Sequence, residues 1–200
     1  MPDQSADIAA ETGPDGVPAQ PVPAARSARP AIREIRPEER GELDRVVVGN
    51  WGSPYVVSRG SLHRVSELPC LLATDGDRWL GVAAYRLRAG ACELILLEAF
   101  EPGHGTGTAL LDAVLGRARA AGAHRLWLVT TNNNVDALRF YQRRGMRLVR
   151  LWPDAVTQAR KLLKPEIPLI GDEGIPIRDE LELEIRMSAP APAPAPEGSA

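Results

Sequence analysis

The sequence predicts an α/β domain in which helices pack on the faces of a mixed sheet. Three observations carry this. Residues 70–100 hold three apolar, strand-like runs separated by short turns, the mark of an antiparallel meander. Two stretches with apolar residues at helical spacing follow, Leu110 to Ala118 and Val135 to Arg144, each leading into another strand-like run. The segment Glu180-Leu181-Glu182-Leu183-Glu184-Ile185-Arg186-Met187 alternates without a fault and reads as a half-exposed last strand. The order is strand, helix, strands, helix, strand, helix, strand, strand, with no internal repeat.

Ala31 to Arg36 reads as a short strand. Pro37-Glu38-Glu39 opens a helix reaching about Val48, with proline in the first turn and acids at the positive end of the helix dipole. Residues 49–69 scatter glycines and prolines among Trp51, Tyr55 and His63 and are expected to form a loop with one short helix. Strands are expected at Cys70–Thr74, Trp79–Arg88 and Ala91–Phe100. Leu94-Ile95-Leu96-Leu97 is continuously apolar, so that strand is expected to be covered on both faces. Leu110, Leu111, Val114, Leu115 and Ala118 line one face of the next helix, which Gly122 ends. Arg125–Thr130 is a buried strand. Asn134 caps the helix from Val135 to Arg144, and Gly145 stops it. Met146–Leu151 is a strand, and Asp154 caps a short helix reaching Leu163. The prolines after Lys164 make a loop, because proline interrupts a strand ladder.

Composition bounds the function. The chain has 200 residues and a net charge of −2. Residues 1–30 and 188–200 are rich in Ala and Pro and poor in large apolar side chains, so both read as disordered tails around a domain at 31–187. The acids of the tails leave that domain close to neutral, which argues against a nucleic-acid partner. No apolar run is long enough to span a bilayer and no secretory signal opens the chain, so a cytoplasmic protein without a membrane partner is expected. Cys70 and Cys92 sit in apolar runs and read as buried thiols. Three scattered histidines and no paired cysteines give no metal site.

The run Gly103-His104-Gly105-Thr106-Gly107-Thr108-Ala109-Leu110-Leu111 is the most informative in the chain. Glycines let a backbone turn tightly and approach a ligand, and a helix start offers unpaired N–H groups and the positive end of its dipole. Together they suit phosphate or pyrophosphate. A nucleoside-triphosphate loop would need a lysine after the glycines, and none follows. A dinucleotide fold would need different glycine spacing and an acid after the next strand, where Thr130-Thr131-Asn132 stands. From the glycines alone, a purely structural turn stays open.

A second motif narrows this. The glycine run resembles the acyl-CoA loop of the GNAT superfamily of N-acyltransferases. Asn134-Val135-Asp136-Ala137-Leu138-Arg139-Phe140-Tyr141-Gln142-Arg143-Arg144-Gly145-Met146 resembles that family's Asn-x-x-Ala-x-x-x-Tyr motif with its following Gly-Phe. The element order from Ala31 to Met187 is similar to the family's fold. There are departures: Pro102 stands where the family often has Arg or Gln, His104 replaces a commonly basic residue, and Met146 replaces Phe.

The resemblance implies a mostly antiparallel, twisted sheet of six to seven strands with helices on both faces. It implies acetyl-CoA as cosubstrate, held by Gly103, His104, Gly105, Thr106, Gly107 and Thr108 at the diphosphate, with Asn134, Ala137 and Tyr141 along the rest of the cofactor. It also implies that the end of the Leu94–Phe100 strand splays from the next strand and offers backbone groups of Leu97 to Ala99 to the pantetheine arm.

The implied reaction moves an acetyl group from CoA sulfur to a primary amine of a small molecule or peptide. An alkylammonium with a pKa of about 10 is mostly protonated at neutral pH, so a base must take a proton. Tyr141 matches the tyrosine that protonates the departing thiolate in many members. Glu93 lies where some members place a catalytic glutamate, or is simply solvated or paired. Glu98 is expected on the opposite face, because side chains alternate along a strand, and a water chain is the other candidate base. Arg143 and Arg144 suit either the adenosine phosphate or the negative end of their helix. Trp51, Tyr55 and His63 border the acceptor by resemblance or simply pack. Glu166, Asp172 and Glu173 lie in a loop placed to meet a cationic acceptor. Neither cysteine suggests a covalent route, so direct attack in a ternary complex is expected. The alternative is an acyl-CoA-binding sensor without catalysis. The alternating last strand is expected to offer an edge for a homodimer.

Overall fold

The computed structural model describes residues 29–187 apart from 102 and 172. The tails expected at the two ends, except residues 29 and 30, lie outside the described residues, as do Pro102 and Asp172.

The elements run β1 (Ala31–Glu34), α1 (Arg40–Trp51), β2 (Tyr55–Ser58), β3 (Ser61–Arg64), β4 (Cys70–Asp75), β5 (Arg78–Arg88) and β6 (Ala91–Ala99). They continue with α2 (Thr106–Ala120), β7 (Arg125–Thr131), α3 (Val135–Gln142), β8 (Arg147–Trp152), α4 (Ala155–Leu162) and β9 (Glu180–Arg186). Seven strands form one sheet in the order β1-β4-β5-β6-β7-β9-β8. Every neighbouring pair is antiparallel except β6 and β7. The expected mixed, mostly antiparallel sheet is thus the one observed.

Each face carries its own core. On one face, Leu110, Leu111, Val114, Leu115 and Ala118 of α2 pack with Ala83, Leu94, Leu126, Leu128 and Tyr141. These are the helix residues that the periodicity selected. On the other face, Leu43 and Val47 of α1 meet Leu72, Val82, Ala84 and Leu96. Leu94 and Leu96 therefore enter different cores, which is why the run Leu94-Ile95-Leu96-Leu97 is continuously apolar. Gly116 lies within α2, and an added Cβ would meet nothing within 4 Å. Gly116→Ala is expected to raise stability by about 0.5–1 kcal/mol, seen as a higher midpoint in urea unfolding.

Four expectations change. Residues 55–64 form a β-hairpin instead of a loop. Its turn residues Arg59 and Gly60 both take left-handed backbone, at φ 51° and 70°. Two successive left-handed residues match the right-handed twist of a two-residue hairpin. β9 is not half-exposed: Glu180, Glu182 and Glu184 are all buried beneath the hairpin tip, Trp152 and Arg125. Nor is β9 an edge available to a second copy, because β7 and β8 occupy both of its sides. Finally, Asp154 precedes α4 at φ 56° and its side chain makes no capping bond. Val156 N–H bonds the Arg178 carbonyl instead.

Among the described residues no helix is long and apolar enough to cross a membrane. Cys70 and Cys92 are buried free thiols, each pushed up to about 12 by burial. Neither is a nucleophile at neutral pH.

Candidate active site

The glycine turn sits between β6 and α2. Gly103 and Gly105 adopt φ 86° and 78°, left-handed values that strain any residue with a Cβ. The first intrahelical bond of α2 runs from Ala109 N–H to the Gly105 carbonyl. The N–H groups of Thr106, Gly107 and Thr108 thus have no partner inside the helix. His104 is exposed on the same turn.

Three contacts fix the turn to the scaffold. Thr106 is buried, and its Cγ2 would lie 2.9 Å from a Cβ placed on Gly81 of β5. A Cβ on Gly107 would lie 3.3 Å from the Phe140 ring of α3. Arg144 donates from Nε to Thr108 Oγ1 at 3.0 Å and lies 3.7 Å from the centroid of Phe140. Arg144 also donates to the Phe140 carbonyl. It ties the end of α3 to the start of α2.

Beside the turn the sheet forks. β6 and β7 pair only at Ala91–Arg125, Cys92–Leu126 and Glu93–Trp127. Beyond Glu93 the backbone of β6 has no strand on that side, as the resemblance implied. Asn134 stands at the mouth of the fork and caps α3, its Oδ1 accepting from Ala137 N–H at 3.1 Å. Ala137 packs against the core on the first turn of α3.

Tyr141 lies farther along α3, 8% exposed, with its ring edge-on to Phe140 at 5.1 Å. Burial raises its hydroxyl above the ordinary tyrosine value. It therefore stays protonated at neutral pH, the state a general acid needs.

Glu93 is 2% exposed. Its Oε1 accepts from Ser58 Oγ at 2.5 Å and its Oε2 from Arg86 Nε at 2.6 Å. Glu98 accepts from Asn50 and from Trp51 Nε1. The two glutamates face the same side of the sheet, contrary to strict alternation. The cause is a β-bulge: Ala84 pairs with Leu96 and Tyr85 with Leu94, leaving Ile95 unmatched. One extra residue reverses the facing of everything after it.

A cavity of about 440 Å³ opens where the fork meets the hairpin. It is bordered by Asn133, Asn134 and Asp136 of the α3 start, by Val56 and Val57 of β2, and by Trp51. The loop after α4 roofs it with Lys164, Glu166, Ile167, Pro168, Glu173 and Ile177, and Glu180 lies within. Of the acceptor-side candidates, Trp51, Glu166 and Glu173 reach this cavity. Tyr55 contributes its carbonyl, which accepts from Lys164 Nζ at 2.8 Å. His63 is buried nearby with Nε2 unpartnered, and burial together with Arg86 lowers its basicity. Glu180, Lys164 and the hairpin valines were missed in the sequence. Among the described residues no three His, Cys, Asp or Glu side chains are grouped to hold a metal ion.

A forked parallel pair beside a glycine turn at a helix start is the feature that distinguishes this fold. The model of the Acetyltransferase (GNAT) family matches residues 30–146, and the chain belongs to this family of acetyltransferases. It is 43% identical over 133 residues to the uncharacterized protein YxbD of Bacillus subtilis (strain 168), covering 66% of this chain and 83% of YxbD. The fold is similar to a Bacillus subtilis acetyltransferase solved in complex with CoA, with a TM-score of 0.59 and 20% identity over 80% of this chain and 99% of that one. It is also similar to a GNAT acetyltransferase from Elizabethkingia anophelis with acetyl-CoA bound, with a TM-score of 0.57 and 16% identity over 78% of this chain and 97% of that one.

Proposed function

We propose that the protein transfers an acetyl group from acetyl-CoA to a primary amine by direct attack in a ternary complex. Three features carry this reading. They are the N–H groups at the start of α2 without a partner inside the helix, the fork between β6 and β7, and the cavity lined by Asn134. The free N–H groups of residues 106–108 suit the diphosphate. The open backbone of β6 past Glu93 suits the amides of the pantetheine arm, with Asn134 and Ala137 bordering it. The thioester then meets the cavity, where an amine can reach its carbonyl.

In this reading Tyr141 donates its proton to the departing thiolate. Glu93 takes the amine proton through water, its carboxylate held in place by Ser58 and Arg86. The reading places the protein in the cytoplasm, where acetyl-CoA is made and used.

The test is calorimetry with acetyl-CoA followed by a free-thiol assay with amines. Wild-type protein is expected to bind and to release thiol only when an amine is present. Gly105→Val is expected to weaken binding by tenfold or more, because valine strains the left-handed backbone that aims the N–H groups. Unchanged affinity in that variant would remove the diphosphate assignment. Binding with no thiol release for any amine would favour the sensor, a reading to which the full engagement of Glu93 by Ser58 and Arg86 also lends support.

A further inference from the structure

We infer that the acceptor is a compact, cationic amine with an aliphatic body, and that Glu180 receives its ammonium group inside the cavity; the ammonium then gives one proton to the base, and the neutral amine attacks the thioester carbonyl. This inference rests on the acetyl-transfer reading above and names the substrate class of the same site.

The argument begins with β9. Its three glutamates point under the hairpin, and all three are buried. Glu182 accepts from Arg59 Nη1 at 2.8 Å, from Arg125 Nη1 at 3.2 Å and from Trp152 Nε1 at 3.1 Å. Glu184 accepts from Arg125 and from Arg186 Nε. Both carboxylates are satisfied by side-chain cations. Glu180 is not. It is 4% exposed, and among the described residues its one hydrogen bond comes from the main-chain N–H of Arg59, at 3.2 Å to Oε2. Of the three, Glu180 alone lines the cavity beside Asn134. Burial raises the Glu180 carboxyl above its ordinary value, and among the described residues no cation is within ion-pair distance to offset this. A bound ammonium would stabilise the carboxylate form.

The surroundings define the rest of the ligand. Val56, Val57, Val156, Ile167, Pro168 and Ile177 give the cavity aliphatic walls. Its one cationic lining residue, Lys164, is committed to the Tyr55 carbonyl, and burial lowers its basicity. Acids outnumber it, with Asp136, Glu166 and Glu173 bordering the same space. An anionic or zwitterionic acceptor would meet these carboxylates unpaired, whereas an amine with a hydrocarbon body would not.

The roof argues for a small molecule over a peptide. Arg160 of α4 donates to the carbonyls of Ile167, Pro168 and Ile177, and Lys164 bridges the loop to the hairpin. This bracing holds the roof in place over a compact cavity. About 440 Å³ is the size of a small-ligand pocket. The position also fits the chemistry. Glu180 pairs across the sheet with Thr131, the last residue of β7, beside the open fork.

The test is a steady-state comparison of linear alkylamines, arylamines that are neutral at pH 7, amino acids and a lysine peptide, with acetyl-CoA held constant. Alkylamines are expected to have the highest kcat/KM. Glu180→Gln is expected to raise the amine KM by tenfold or more and leave the acetyl-CoA Kd unchanged. The preference for alkylamines over neutral arylamines is expected to collapse with it. Val57→Phe, which fills the cavity from the hairpin, is expected to raise the KM more for longer amines than for short ones. An equal loss toward charged and neutral amines in Glu180→Gln would overturn the anchoring role, and a preference for the peptide or for amino acids would overturn the substrate class. Failure of wild-type protein to bind acetyl-CoA would instead sink the acetyl-transfer reading itself.

Discussion

A single methyl group on Gly81 is expected to cost about 2–3 kcal/mol of stability and to weaken acetyl-CoA binding by tenfold or more. Gly81 pairs with Ala99 at the end of β6, beneath the first residue of α2. An added Cβ would fall 2.5 Å from the Glu98 carbonyl oxygen, 2.9 Å from Thr106 Cγ2 and 3.2 Å from Ala99 Cα. Two of these are backbone atoms, and a rotamer change cannot relieve them. β6 and the glycine turn must both move outward, and the turn carries the N–H groups assigned to the diphosphate. Urea unfolding and calorimetry on Gly81→Ala would measure both effects. A stable variant with native affinity would show that the turn does not depend on its seat against β5.

Tyr141→Phe is expected to lower kcat by about a hundredfold or more while the acetyl-CoA Kd stays within a few-fold. The ring keeps its place in the core against Phe140, so only the hydroxyl is lost. The pH dependence has a definite sign. Tyrosine ordinarily titrates near 10, and burial raises this group further. Loss of its proton therefore cannot reduce the wild-type rate below about pH 10. A rate that falls between pH 7 and 9 reports a different group. If Tyr141→Phe turns over at the wild-type rate, the residue is a core aromatic and nothing more.

Much of the scaffold was legible because its signals are local. The face of α2 follows from helical spacing, and each predicted residue is buried. Asn134 lies three residues before the N–H it caps, a relation written in the chain. The glycine turn reads correctly because left-handed backbone at Gly103 and Gly105 is a residue-level property.

What the sequence concealed depends on contacts between distant segments. Arg59 takes a left-handed backbone that arginine seldom adopts. Its compensation comes from Glu182 and from the Trp152 ring, 3.2 Å from its guanidinium. Neither partner is near it in the chain, so the sequence reads as a loop where the hairpin forms. The same tip covers the glutamates of β9, which alternation alone assigns to solvent. The bulge at Ile95 replaces no residue type and leaves no trace in composition, yet it decides which way Glu98 faces. Glu180 was missed for a related reason: in the sequence it is one of three equivalent acids, and only the folded chain shows that its two neighbours are neutralised.

For the acceptor proposed above, the braced roof is expected to set the kinetics of capture. Arg160 and Lys164 already hold four main-chain carbonyls of the loop and hairpin. Little disorder remains to be surrendered when a guest arrives, so encounter and fit merge into one event. Rapid mixing should give a single relaxation whose rate climbs in proportion to amine concentration, and discrimination between amines should reside in how quickly each one escapes.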